Sequence, residues 1–217
     1  MAISASRAAA KCIEAAMRQF GTVDVLVNNA EILRTKPFTD FTTGDFNALV
    51  STNRLGFLYT TQLAVQQMLK QKSGNVVTMS ASLAAQPVAG IHASVSMMTK
   101  GGLNTVTRSL AIEYAKGGIR FNAVAPGVVD SPLHKDDPRS SLKTFQPTGK
   151  IAGIKNIVDA ALYLARAGQV TGEIIQVDGG SHAGRWQPLI EPAQVLAGDW
   201  IGERLRLSRM NTKVARR

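Results

Sequence analysis

Cysteine occurs once in the 217 residues, at Cys12. One thiol excludes an intrachain disulfide framework and a cysteine-based zinc site. The three histidines, His92, His134 and His182, show no ligand spacing, so no metal site is expected. No apolar run reaches the ~18 residues that span a membrane. The first ten residues carry one arginine and no apolar core, which argues against a signal peptide and for a soluble, cytoplasmic protein. Arginine-rich blocks with interleaved aromatics are missing, as are helix-turn-helix and zinc-finger patterns. The formal net charge of +10 therefore points to weak, salt-sensitive contact with polyanions rather than to specific nucleic-acid binding.

What is present is enough apolar material for one sizeable core, 45% of all residues. From Arg185 on, seven basic residues face three acidic ones. Val195, Leu196, Trp200, Ile201 and Leu205 form a helical apolar stripe there, with basic residues opposite. The expected division is a body over 1–185 and a basic amphipathic tail over 186–217.

Strand and helix signals alternate along the body. An alanine-rich helix over 3–20 stops at Gly21, and Val23 to Val27 reads as a short apolar strand. Thr42 or Thr43 caps a helix that Asn53 and Gly56 interrupt before it resumes to Ser73-Gly74. Further strands are expected at Asn75–Met79, Ile119–Val124 and Glu173–Val177, with a helix over Ile154–Ala167. Residues 128–150 read as a polar, proline-containing and mobile flap. Almost continuously apolar strands between helices predict an α/β parallel sheet covered on both faces. Ligands bind such sheets beyond the carboxyl ends of the strands. Here those ends are Asn28-Asn29, Ser80-Ala81-Ser82 and Pro126-Gly127.

The longest helix signal begins at Ser94 and runs to about Lys116. Val95, Met98, Gly102, Val106 and Leu110 recur near the helical period, flanked by Leu103 and Ile112. Ser96 and Lys100, four residues apart, share one face. Gly101 and Gly102 weaken the helix, which suggests another backbone or helix passing close by.

Taken in order, Asn28-Asn29-Ala30-Glu31, the Asn53-x-x-Gly56 step, Ser80 to Ser82, Lys100 with its glycines, RFNAVAPGVVDSP and TGEIIQVDGG form one series of landmarks. This series resembles the classical short-chain dehydrogenase/reductase family over roughly Ala9 to Trp186. The resemblance implies a Rossmann-type doubly wound parallel sheet, incomplete at its N-terminal side. It implies hydride transfer between NAD or NADP and a small carbonyl or alcohol substrate, and a homo-oligomer joined through the two long helices. It gives catalytic positions to Asn53, to a serine at the strand end, to Ser96 and to Lys100. Ser80 and Ser82 both flank the serine position. Ser82, 14 residues before Ser96, is preferred on that interval. Cofactor contacts fall to Asn28, Asn29, Ala30, Lys100, Pro126, Gly127, Val129 and Ser131.

Three departures bear on activity. The family's acid/base tyrosine is Ser96 here, and a serine hydroxyl has neither the reach nor the tunable acidity of a phenol. His92, four residues earlier, is a minor candidate for the proton donor. No glycine-rich phosphate turn precedes Asn28, so no helix N-terminus is provided for a pyrophosphate and the Val23–Val27 strand is expected to keep an unpaired edge. The tail or a second subunit would cover that edge. Glu31 replaces a customary glycine and puts a carboxylate where phosphates approach. A binding or scaffold subunit resembling this family but without turnover is the alternative reading.

Overall fold

A computed structural model describes residues 2–134 and 137–184. The expected amphipathic tail over 186–217 lies outside the described residues. The elements are α1 (Ala2–Phe20), β1 (Val25–Asn28), α2 (Thr43–Leu49), α3 (Gly56–Gln71), β2 (Gly74–Met79), α4 (Ser94–Glu113), β3 (Ile119–Pro126), α5 (Arg139–Lys143), α6 (Ile154–Arg166) and β4 (Ile174–Val177). No described helix is long and apolar enough to cross a membrane.

The four strands form one parallel sheet in the order β1-β2-β3-β4. Successive side chains of a strand point to opposite faces, so each strand feeds two cores. Leu26, Val76, Ile119 and Phe121 face α1, α3 and α4, where they meet Ile13, Ala64, Met68 and Ala111. Val77, Met79 and Val124 face α6 and meet Leu164. The crossover through α6 therefore lies on the opposite face from those through α3 and α4. All three step the same way across the sheet, so the hand of the last is opposite to the first two, and one hand must be the uncommon left-handed one.

Local chemistry explains the element ends. Gly21 takes φ +72° after α1 and its N–H donates to the Met17 carbonyl at 3.0 Å. Thr42 and Asp45 form a reciprocal capping box at the start of α2. Gly118 sits at φ +73°, and a Cβ there would lie 2.5 Å from the Lys72 carbonyl oxygen, so the turn into β3 demands glycine. The C-terminal end of α6 is closed by Arg120, whose guanidinium donates to the carbonyls of Leu164, Ala165, Ala167 and Val170 at 2.8–3.2 Å.

Four expectations need correction. Asn53 and Gly56 do not interrupt the second helix: Val50–Leu55 is a π-helical turn that carries the chain on into α3. The buried face of α4 is only in part the apolar stripe. It runs through Val95, Ser96, Thr99, Lys100, Leu103, Thr107 and Ala111, while Met98 and Ile112 are exposed. Among the described residues no second backbone passes the α4 glycines: nothing lies within 4 Å of a Cβ built at Gly101, and at Gly102 it meets only the Arg54 side chain, at 3.7 Å. The flap over 128–150 is partly built. It contains α5 and buries Leu142 and Gln146, whose amide donates to the Val128 carbonyl at 2.7 Å.

Candidate active site

The carboxyl ends of β1, β2 and β3 open onto one cavity of roughly 1490 Å³. Asn29 and Glu31 line it after β1, Met79 to Ser82 after β2, and Pro126 to Val129 with Ser131 after β3. From α4 and the preceding loop come Lys100, Met97 and His92. The cavity continues as an apolar groove along the open side of the sheet, between Val25 and Val27 of β1 and Val158 and Leu162 of α6.

Lys100 is the charged group at its inner wall. Its side chain is 5% exposed, and its ammonium donates to the Met79 carbonyl at 2.9 Å. The same ammonium forms an ion pair with Glu31, whose side chain remains one-third exposed. A buried ammonium that donates to both a carbonyl and a carboxylate recovers much of the hydration it loses.

Asn53 and Ser96 do not line the cavity, although both are buried. The Asn53 side chain accepts from the Ile32 N–H and donates to the Ile32 carbonyl and the Thr99 hydroxyl, all at 3.0 Å. Ser96 accepts from the Arg34 N–H at 3.0 Å and donates to the Arg34 carbonyl at 2.8 Å. Each side chain serves one residue of the segment after β1 as a strand partner would, satisfying its N–H and its carbonyl. Arg34 and Lys36 of that segment also bind the Asp45 carboxylate. Lys36, together with the N–H and hydroxyl of Thr42, holds the Asp45 carboxyl well below the usual carboxylate range. Residues 31–36 are thus strapped across the rim from several sides.

The other expected site residues divide similarly. Asn28 turns from the cavity and donates to the Thr61 hydroxyl at 3.0 Å, and Ala30 is exposed beyond Asn29. Ser82 lines the cavity, and so does Ser80, whose buried hydroxyl oxygen has no hydrogen-bond partner. Gly127 is required by close approach, since a Cβ there would come within 2.8 Å of the Asp178 Cα. Val129 is held by a parallel bridge to Ala152. Among the described residues no cluster of three metal-ligating side chains occurs.

A nicotinamide dinucleotide fits this site in part. The orphaned Ser80 hydroxyl, the Ser82 hydroxyl and the Lys100 ammonium give polar groups for its nicotinamide end. At the phosphate end no glycine-rich turn occurs among the described residues, and the nearest charge after β1 is the Glu31 carboxylate. Glu31 and Ser80 are the cavity groups that pattern reading undervalued. Glu31 is visible in sequence only as a departure, and its pairing with Lys100, 69 residues on, is not.

Comparison with known proteins agrees with this geometry. The family model described as enoyl-(acyl carrier protein) reductase matches residues 1–182. A tropinone reductase homolog of Arabidopsis thaliana is 36% identical over 166 residues, covering 74% of this chain and 62% of its own. The 3-oxoacyl-(acyl-carrier-protein) reductase FabG of Thermotoga maritima is 32% identical over 177 residues, covering 77% of this chain and 70% of its own. The chain thus spans about two thirds of the length of these curated relatives. Among solved structures, ElxO with NADP bound superposes with a TM-score of 0.78 at 28% identity, over 82% of this chain and 75% of that one. The 3-ketoacyl-(acyl-carrier-protein) reductase of Brucella melitensis complexed with NADH gives 0.77 at 26% identity, over 82% and 74%.

Proposed function

Because this chain belongs to the classical short-chain dehydrogenase/reductase family, we propose that its cavity is a nicotinamide-dinucleotide site serving hydride transfer to or from a small carbonyl or alcohol substrate. The observation that carries this reading is the Lys100 ammonium at the carboxyl ends of β1 and β2, beside Ser80 and Ser82 and across from Gly127. A bound nicotinamide would supply or accept the hydride. Lys100 would hold the nicotinamide ribose, and Pro126, Gly127, Val129 and Ser131 the carboxamide. Asn29, with Asn28 and Ala30 behind it, would border the adenosine half. A hydroxyl of Ser82 or Ser80 would polarise the substrate oxygen.

The proton must come from elsewhere than Ser96, whose hydroxyl is closed onto the Arg34 backbone. His92, at the cavity wall, takes that place in this reading. Asn53 acts as a positioning residue through Ile32. The relatives are named as reductases, which supports an oxidoreductase over a binding or scaffold subunit. Exposed Met98, Ile112 and Leu58, with open space at Gly101, support self-association through α3 and α4.

Calorimetric titration with NADH and NADPH, followed by carbonyl-dependent oxidation of whichever binds, tests the proposal. Micromolar binding and turnover are expected, with turnover lost in His92→Ala. A chain that binds neither cofactor would refute it.

A further inference from the structure

We propose that Glu31 sets the ligand selectivity of this cavity. By closing on Lys100 and placing a carboxylate on the wall, it makes the site accept a neutral, hydroxyl-bearing ligand in preference to an anionic dinucleotide. The inference rests on the reading of Lys100 as the ribose-binding group.

An ammonium has three N–H donors. On Lys100 one goes to Met79 and one to Glu31. The lysine stem is buried, so the amine cannot swing away to find new partners. A ligand hydroxyl can use the remaining donor, or it must displace the carboxylate. Displacement is opposed by the backbone that carries Glu31. The next residue, Ile32, is bound through both its N–H and its carbonyl by Asn53, and Arg34 through both by Ser96. Lys36 is fixed by its N–H to the His92 carbonyl at 2.8 Å and by its amine to Asp45. The carboxylate is therefore delivered to Lys100 by a segment pinned at every second residue, and it does not drift off with a mobile loop.

Charge decides which ligand suffers most. Glu31 neutralises Lys100, the buried cation at the strand ends. Lys36, also on the cavity wall, is already paired with Asp45. A phosphate entering along β1 meets a fixed carboxylate, and among the described residues both lysines of the cavity wall are already paired. Like charges brought together in a partly buried site are strongly disfavoured. A neutral riboside meets no such penalty and can accept from Lys100 or donate to Glu31. The two residues together form a donor–acceptor pair suited to a sugar hydroxyl.

The test compares the 217-residue chain with its Glu31→Gln variant, which keeps an acceptor for Lys100 and removes the charge. Glu31→Gly serves as the second variant if the amide fails to fold. Binding of NADH and of uncharged reduced nicotinamide riboside is measured by calorimetry. The reactivity of Lys100 toward acetic anhydride is read by mass spectrometry, with exposed Lys116 as internal reference. Loss of the charge is expected to tighten NADH roughly tenfold, to leave the riboside within about threefold, and to raise Lys100 acetylation several-fold. Equal NADH affinity in both proteins overturns the assignment to Glu31 while leaving the dinucleotide site standing. Absence of binding by either probe to either protein overturns the dinucleotide reading beneath it. The acetylation ratio then reports the Glu31–Lys100 contact by itself, and an unchanged ratio removes that too.

Discussion

The two faces of the sheet carry the same kinds of side chain and are closed to different degrees. On one face, three helices cover Leu26, Val76, Ile119 and Phe121. On the other, α6 is the one helix among the described residues that covers Val77 and Val124, and the row ends at Val25 and Val27, which stay 44% and 47% exposed. The facing residues of α6 share this condition, with Val158 45% and Leu162 43% exposed. Strand composition therefore does not decide burial here. The placement of helices does, and the cavity runs along the face that carries fewer of them among the described residues.

The largest effect is expected from the closed face. Phe121 is fully buried and its ring lies 5.8 Å from that of Tyr114, in a tilted contact. Phe121→Ala should cost about 3–5 kcal/mol, because neighbours held by three helices cannot collapse into the void. Leu164→Ala probes the other face with a side chain that is equally inaccessible. Its cost should be smaller, about 2–3 kcal/mol, since α6 borders an open groove and has room to shift. Urea unfolding of both variants gives the two values. If Leu164→Ala proved the costlier, the open face would have to be as rigidly packed as the closed one.

The same contrast marks what could be seen in sequence. The strands are legible because four runs of apolar residues between turn signals leave little else for them to be. The lysine is legible because helical spacing and chain order bring the start of α4 to the strand ends. The buried face of α4 is not, because Ser96, Thr99, Lys100 and Thr107 read as outward polar residues until their partners are known. Ser96 finds its partner at Arg34, 62 residues away, and no local pattern encodes such a contact. The π-helical turn at Asn53 shows in sequence only as a break in the helical pattern: the change from i+4 to i+5 hydrogen bonding rotates the apolar face, and the pattern does not say whether the helix stops there or carries on. Local period reports which residues prefer the interior. It cannot report which polar residues will be satisfied once inside.

The smallest effect gives the sharpest comparison, because it can be made on a single rung of the sheet. Val27 of β1 and Val77 of β2 are register partners and point to the same face. Val77 is fully buried and Val27 is about half exposed. Valine to threonine keeps the shape and the β-branch and exchanges a methyl for a hydroxyl. At Val77 that hydroxyl is removed from water with no partner at hand, and Val77→Thr should cost about 1–3 kcal/mol. At Val27 water reaches the groove, and Val27→Thr should change stability by no more than about 0.5 kcal/mol. Both are read as shifts of the urea midpoint at constant slope. Equal costs at the two positions would mean that the groove beside β1 is filled in solution, and the cavity described above would then end at the strand tips.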